Sequence, residues 1–108
     1  MSKKSIDNIV KHAEVSEKAT ERYLCDVVKR LGGVCLKYSN ANMVGYPDRV
    51  ALMPGGQCLW FELKSKGRKV SKVQAIRIEQ LANIGLKVYV CDSKESINRI
   101  FADLHYAI

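Results

Sequence analysis

The sequence predicts one α/β domain, a mixed β-sheet flanked by helices in the order α-β-β-β-α-β-α. Three observations predict it. Apolar residues recur at helical spacing in three stretches and at strand spacing in four short ones. Gly and Pro clusters at 32–33, 45–47, 54–56 and 85 separate those stretches. One strand–helix–strand succession near the C-terminus implies a single parallel crossover in an otherwise antiparallel sheet.

Residues 1–15 read as an N-terminal extension, where Ile6, Ile9, Val10 and Ala13 have the period of a short helix, and 16–108 as one domain. A firmer helix starts at Ser16, an N-cap candidate, and runs to Leu31 before Gly32-Gly33 stops it. Val34 to Tyr38 is a strand, and Ser39 to Pro47 a turn-rich connection. Arg49 to Met53 and Gln57 to Lys64 form a hairpin around Pro54-Gly55-Gly56. A basic loop, Ser65 to Val70, leads to a helix capped at Ser71 and ended by Gly85. Leu86 to Cys91 is a short apolar strand. From Ser93 a final helix carries Ile97, Ile100, Phe101, Leu104 and Ile108 on one face.

At 108 residues and 47% hydrophobic content the chain can bury a core. No apolar run reaches the roughly 18 residues needed to cross a bilayer, and the N-terminus lacks the apolar stretch of a signal peptide. A cytoplasmic protein without a membrane partner is therefore expected. Cys25, Cys35, Cys58 and Cys91 form no CxxC pair and read as thiols in a reducing compartment. The formal charge of +7 attracts polyanions, although charge alone does not choose the partner.

The hairpin supplies the chemistry. A three-residue loop pairs Met53 with Gln57, with Pro54 in a type I turn and Gly56 in the left-handed position after it. Stepping away from the turn then sets Asp48 opposite Glu62, and Lys64 lies on the same face. A solvated cross-strand cluster would show the same residues. However, Leu59, Trp60, Phe61 and Leu63 make this strand too apolar for an exposed edge. Opposed carboxylates cost free energy unless a cation joins them, and magnesium favours one or two carboxylates with water and substrate phosphate. Lys64 would stand beside that ion as a separate cation able to orient or polarise a water.

Two further polar residues interrupt apolar stripes. Glu21 lies about 20° from Val28 at 100° per residue, with Leu24, Cys25 and Leu31 flanking it. Gln74 bears the same relation to Leu81. Each also has an ordinary structural reading, as a partner of a nearby lysine or as the frame of a loop.

Gly45-Tyr46-Pro47-Asp48 followed by Glu62-Leu63-Lys64 resembles the PD-(D/E)XK nuclease motif. With Glu21 on the first helix, Ser71-Lys72-Val73-Gln74 and Gln80-Leu81, the series resembles more closely the VRR-NUC branch, over roughly residues 16 to 92. That branch includes the Fanconi-associated nuclease and small stand-alone proteins of phages and bacteria. The resemblance implies a restriction-endonuclease-like core. It implies that Asp48, Glu62 and the backbone carbonyl of Leu63 hold Mg2+, with Mn2+ as a substitute. Lys64 would activate the water, Glu21 would act through a metal-bound water or a second ion, and Gln74 would orient Lys64 or the water. Arg49 receives no catalytic part, and the helix after Asp92 lies outside the core motif.

The implied activity is Mg2+-dependent hydrolysis of DNA phosphodiesters. Lys66, Arg68, Lys69 and Lys72 would contact backbone phosphates. Minimal members of the branch imply a homodimeric resolvase of four-way (Holliday) junctions, acting in the host cytoplasm if phage-encoded. Ile76, Tyr89 or the apolar face of the last helix is a candidate dimer surface. Three alternatives stay open: a restriction-type enzyme cutting plain duplex, a monomeric flap or nicking nuclease, and a basic DNA-binding module whose acids are structural.

Overall fold

The computed structural model describes residues 3–107, and side chains from Ser16 onward. Its elements are α1 (Lys3–Arg30), β1 (Val34–Lys37), β2 (Arg49–Leu52), β3 (Cys58–Leu63), α2 (Lys72–Asn83), β4 (Lys87–Cys91) and α3 (Lys94–Asp103). The order is the one the sequence predicts. The sheet runs β1-β2-β3-β4, with β1/β2 and β2/β3 antiparallel and β3/β4 parallel, so the single crossover passes through α2.

The first helix differs from its sequence reading at its start. Ser16 does not cap it: α1 is already helical at Lys3, and the Ser16 carbonyl accepts the Thr20 hydroxyl at 2.9 Å from within the helix. Residues 11–16 contain no Gly or Pro, so nothing stops the helix upstream of Ser16. The apolar period at Ile6, Ile9, Val10 and Ala13 lies outside the described side chains. The other end is as read. The Gly32 and Gly33 amides donate to the Lys29 and Val28 carbonyls at 3.0 and 2.9 Å, closing a Schellman motif.

The core lies between one sheet face and the pair α1 and α3. Leu24, Val27 and Val28 of α1 meet Ala51, Leu59 and Phe61 of the sheet and Ile97 and Phe101 of α3, all fully buried. Ser71 and Ser93 cap α2 and α3, each in a reciprocal capping box. The last helix ends at Asp103, short of its predicted reach. The His105 amide donates to Ala102 and that of Tyr106 to Phe101 (both 2.9 Å), and Ile108 lies outside the described residues. All four cysteines are free thiols. Among the described residues no helix is long and apolar enough to cross a membrane.

Candidate active site

The hairpin has the register that the short loop dictates. Leu52 faces Cys58 and Arg49 faces Phe61, and the Met53 amide donates to the Gln57 carbonyl at 2.8 Å. The turn itself is a different type from the one read in the sequence. Gly55 has φ +84° and the Gly56 amide donates to the Met53 carbonyl, which makes this a type II turn, not type I. Glycine at 55 permits it. The register of the hairpin is unaffected, because loop length fixes it.

Regular pairing stops at Arg49, and Asp48 occupies the next position, beyond the ladder. Its Oδ2 accepts the Leu63 amide at 3.0 Å, and its carbonyl accepts the Tyr38 amide at 2.7 Å. The preceding loop delivers it there. Gly45 packs against α2, where an added Cβ would come within 3.0 Å of Val73 and 3.2 Å of Arg77. The Tyr46 hydroxyl bonds Gln80 at 2.8 Å, and Pro47 is buried.

Glu62 is only 2% exposed, at the end of the central strand β3 that Gln74 of α2 reaches. Its Oε1 accepts the Gln74 amide at 2.8 Å and lies 3.7 Å from the Lys64 ammonium. Its Oε2 is buried without a partner. Burial first, then repulsion from Asp48, raises the Glu62 carboxyl to about 7, while Lys64 pulls the other way. A buried carboxylate with one oxygen unsatisfied, beside a second carboxylate, is a place that lacks a cation.

Gln74 sits where the sequence puts it, but its amide meets Glu62 and not Lys64. Its Oε1 accepts the Ser71 amide at 2.9 Å, so one side chain both caps α2 and fixes Glu62. Glu21 faces a different partner from those foreseen. Arg49 Nε lies 3.1 Å from its Oε2, and the pair is partly buried, 18% and 29% exposed. Arg49, given no part in the sequence reading, thus ties β2 to α1.

The sequence reading missed Glu17. It stands one helical turn before Glu21 and lines a cleft of about 410 Å3 with Lys18, Glu21, Lys37 and Asp48. Partial burial and then repulsion from Asp48 raise its carboxyl pKa, opposed by Lys64. The available signal was the four-residue step to Glu21, which puts both acids on one helix face. Lys66, Arg68 and Lys69 are exposed on the loop after Lys64, and Lys72 opens α2. The Gly67 amide bonds Asp92 Oδ2 at 3.0 Å and pins that loop beside β4.

Among the described residues, no three or more His, Cys, Asp or Glu side chains form a metal-holding cluster. The donor set is instead two carboxylates with open surroundings and the orphaned Glu62 oxygen. Such a set fits a magnesium-like ion that keeps several waters, and does not fit a closed zinc cage.

Residues 3–95 match the family model of the VRR-NUC domain. Over 81 residues the chain is 30% identical to "Putative nuclease p44" of Acyrthosiphon pisum secondary endosymbiont phage 1, spanning 75% of this chain and 87% of that protein. A solved structure described as a VRR_NUC domain superposes with a TM-score of 0.77 at 24% identity, over 84% of this chain and 98% of that one. This last likeness is one of fold: a four-stranded mixed sheet flanked by three helices.

Proposed function

The chain belongs to the VRR-NUC domain family, and from that premise we propose that it is a Mg2+-dependent, structure-specific DNA endonuclease, a homodimeric resolvase of four-way junctions. The observation that carries the reading is the Glu62–Asp48 pair, with the unpartnered, buried Glu62 Oε2 and the Lys64 ammonium 3.7 Å from Oε1.

In this reading Asp48, Glu62 and the Leu63 carbonyl hold the ion, and Mn2+ replaces Mg2+. A bound divalent ion supplies Lewis-acid stabilisation of oxygen charge and a nucleophilic water at neutral pH. The protein residues prepare the site. The Leu63 amide fixes the Asp48 carboxylate, and Gln74 fixes that of Glu62. The Lys64 side chain stands at the cleft, where it orients a water and offsets phosphate charge. Glu17 faces the cleft from α1, while Glu21, with Arg49, sets the distance of that helix from the sheet. Lys66, Arg68, Lys69 and Lys72 hold backbone phosphates leading into the site.

Among the described residues there is one such site, whereas a four-way junction has two symmetric cleavage positions. That symmetry favours a two-fold dimer. The test is cleavage of labelled four-way, flap and plain duplex DNA with and without Mg2+. Paired cuts in the junction that require the ion are expected. Preferential cutting of flaps or of plain duplex overturns the junction reading. DNA binding without cleavage in any divalent ion overturns the nuclease itself.

A further inference from the structure

Between β1 and β2 the chain runs from Tyr38 to Asp48 without strand pairing, and closes where the Tyr38 amide donates to the Asp48 carbonyl at 2.7 Å. Asn40 braces the first half from within. Its Oδ1 accepts the Asn42 and Met43 amides at 3.0 and 3.1 Å, and its side-chain amide donates to the Tyr38 hydroxyl at 3.0 Å. The second half leans on α2. Arg77 Nε donates to the Val44 carbonyl at 3.0 Å, Gly45 packs on Val73 and Arg77, and the Tyr46 hydroxyl donates to Gln80 Oε1 at 2.8 Å. Arg77 also lays its guanidinium over the Tyr46 ring, 4.7 Å from the centroid, and its Nη1 lies 3.5 Å from Gln80 Oε1. Among the described residues, every hydrogen bond that leaves residues 43–46 for another element ends on Arg77 or Gln80.

We propose that Arg77 is a positioning residue for the metal site: by clasping Val44 and Tyr46 to α2, it sets where Asp48 stands relative to Glu62. The same helix fixes the other carboxylate, because Gln74 donates to Glu62 Oε1 at 2.8 Å. Gln74 and Arg77 are three residues apart, about 4.5 Å along a rigid helix. Thus α2 acts as a gauge with one side chain on each half of the site. The clasp opposes a definite force, since Asp48 and Glu62 repel each other until a cation joins them. Asp48 lies two residues past Tyr46 and outside the regular ladder, so loss of the clasp lets it back away from Glu62.

Arg77 differs here from the cations assigned to phosphates. Lys66, Arg68, Lys69 and Lys72 are exposed, whereas Arg77 is only partly so and is engaged within the protein. Among the described residues no carboxylate pairs with it. A planar guanidinium can stack on a ring and donate in its own plane at once, which an ammonium cannot do. This role deepens the divalent-ion reading above and rests on it for its purpose, but the placement of Asp48 can be read without any ion.

The test is amide hydrogen exchange by NMR on the metal-free full chain, for wild type, Arg77→Ala, Arg77→Lys and Tyr46→Phe, followed by calorimetric titration of Mn2+. Two amides report Asp48 directly: Leu63, bonded to its Oδ2, and Tyr38, bonded to its carbonyl. The Lys64 amide, bonded to the Cys91 carbonyl at 3.0 Å, is the internal reference. Relative to it, Leu63 and Tyr38 should exchange about tenfold faster in Arg77→Ala. The rise should be smaller in Arg77→Lys, which keeps a cation for the ring, and in Tyr46→Phe, which loses only the bond to Gln80. Mn2+ affinity should fall in the same order, about tenfold in Arg77→Ala. Alanine favours the helix at 77, so α2 stays formed.

Exchange at Leu63 and Tyr38 that tracks Lys64 in both Arg77→Ala and Tyr46→Phe overturns the proposal, because the clasp then adds only general stability. Faster exchange at the two amides with unaltered Mn2+ affinity overturns it as well. Unchanged exchange with weaker junction binding, read by anisotropy, makes Arg77 a phosphate contact and has the same force. A wild-type chain that takes up no Mn2+ counts against the ion reading, while the two amides still decide on the clasp.

Discussion

Asp48 stands one step beyond the last regular pair of the β2–β3 hairpin, its carboxylate bound to the Leu63 amide, and its repulsion helps to raise the adjacent Glu62 carboxyl to about 7. The first cause is burial. Both act against the ionised form, so the folded protein binds this proton more tightly than the unfolded chain, whose ordinary value is 4.5. The contribution to stability is then greatest below 4.5 and declines as pH rises from 4.5 to about 7. In EDTA the Tm should fall over that window. Glu62→Gln should flatten the fall and gain about 1–3 kcal/mol at pH 8, several degrees of Tm. Thermal melts of both proteins across pH check it, and a variant less stable than wild type at pH 8 counts against it.

Ser71 and Gln74 separate capping from positioning. Both side chains take part in the α2 capping box, but only Gln74 also reaches Glu62. Ser71→Ala and Gln74→Ala should each cost about 1 kcal/mol of stability. Only Gln74→Ala should lower cleavage by a further order of magnitude, read as kcat at a temperature where both are folded.

The two acids of α1 should part company. Glu21→Gln weakens a partly exposed ion pair with Arg49 and should cost below about 1 kcal/mol. Arg49→Met should have a similar effect on Tm. Glu17→Gln should leave Tm within a degree yet reduce divalent-ion-dependent cleavage about tenfold. Equal loss of cleavage in Glu17→Gln and Arg49→Met would mean that α1 contributes only by its placement.

The basic loop should act through phosphates. Binding of junction DNA should weaken linearly in log–log salt plots, and Lys66→Ala, Arg68→Ala, Lys69→Ala or Lys72→Ala should each lower the slope by about 1. Fluorescence anisotropy with a catalytically silent Asp48→Asn background measures it. A slope untouched by all four substitutions removes this loop from the DNA contact.

The parts of the fold legible in the sequence were those fixed by local rules. A loop of three residues admits one register, so the placing of 48 and 62 at one end of the hairpin follows from counting, whichever turn type closes it. Ser71 with Gln74, and Ser93 with Ser96, announce helix starts because the capping box needs only four consecutive residues. The same rule misled at Ser16, where a good capping residue sits inside a helix because nothing upstream of it breaks the helix. Contacts between distant segments were not legible. Arg49 finds Glu21 across 28 positions, and no spacing rule connects a strand residue to a turn of a helix. Glu17 interrupts no apolar stripe of α1, so only its four-residue step to Glu21 marks it in the sequence. Tyr89 and the face of α3 looked available for association only because the core they fill is assembled from α1 and β3.

The most direct test of the central claim is calorimetric titration of Mn2+ into wild type, Asp48→Asn and Glu62→Gln at pH 7.5, repeated at pH 6. One ion should bind the wild type, and neither variant should bind it measurably. Wild-type affinity should drop up to tenfold at the lower pH, with a proton released on binding, since the ion needs Glu62 ionised and its carboxyl sits near 7. Unaltered binding in either variant would contradict the claim that Asp48 and Glu62 share one divalent cation.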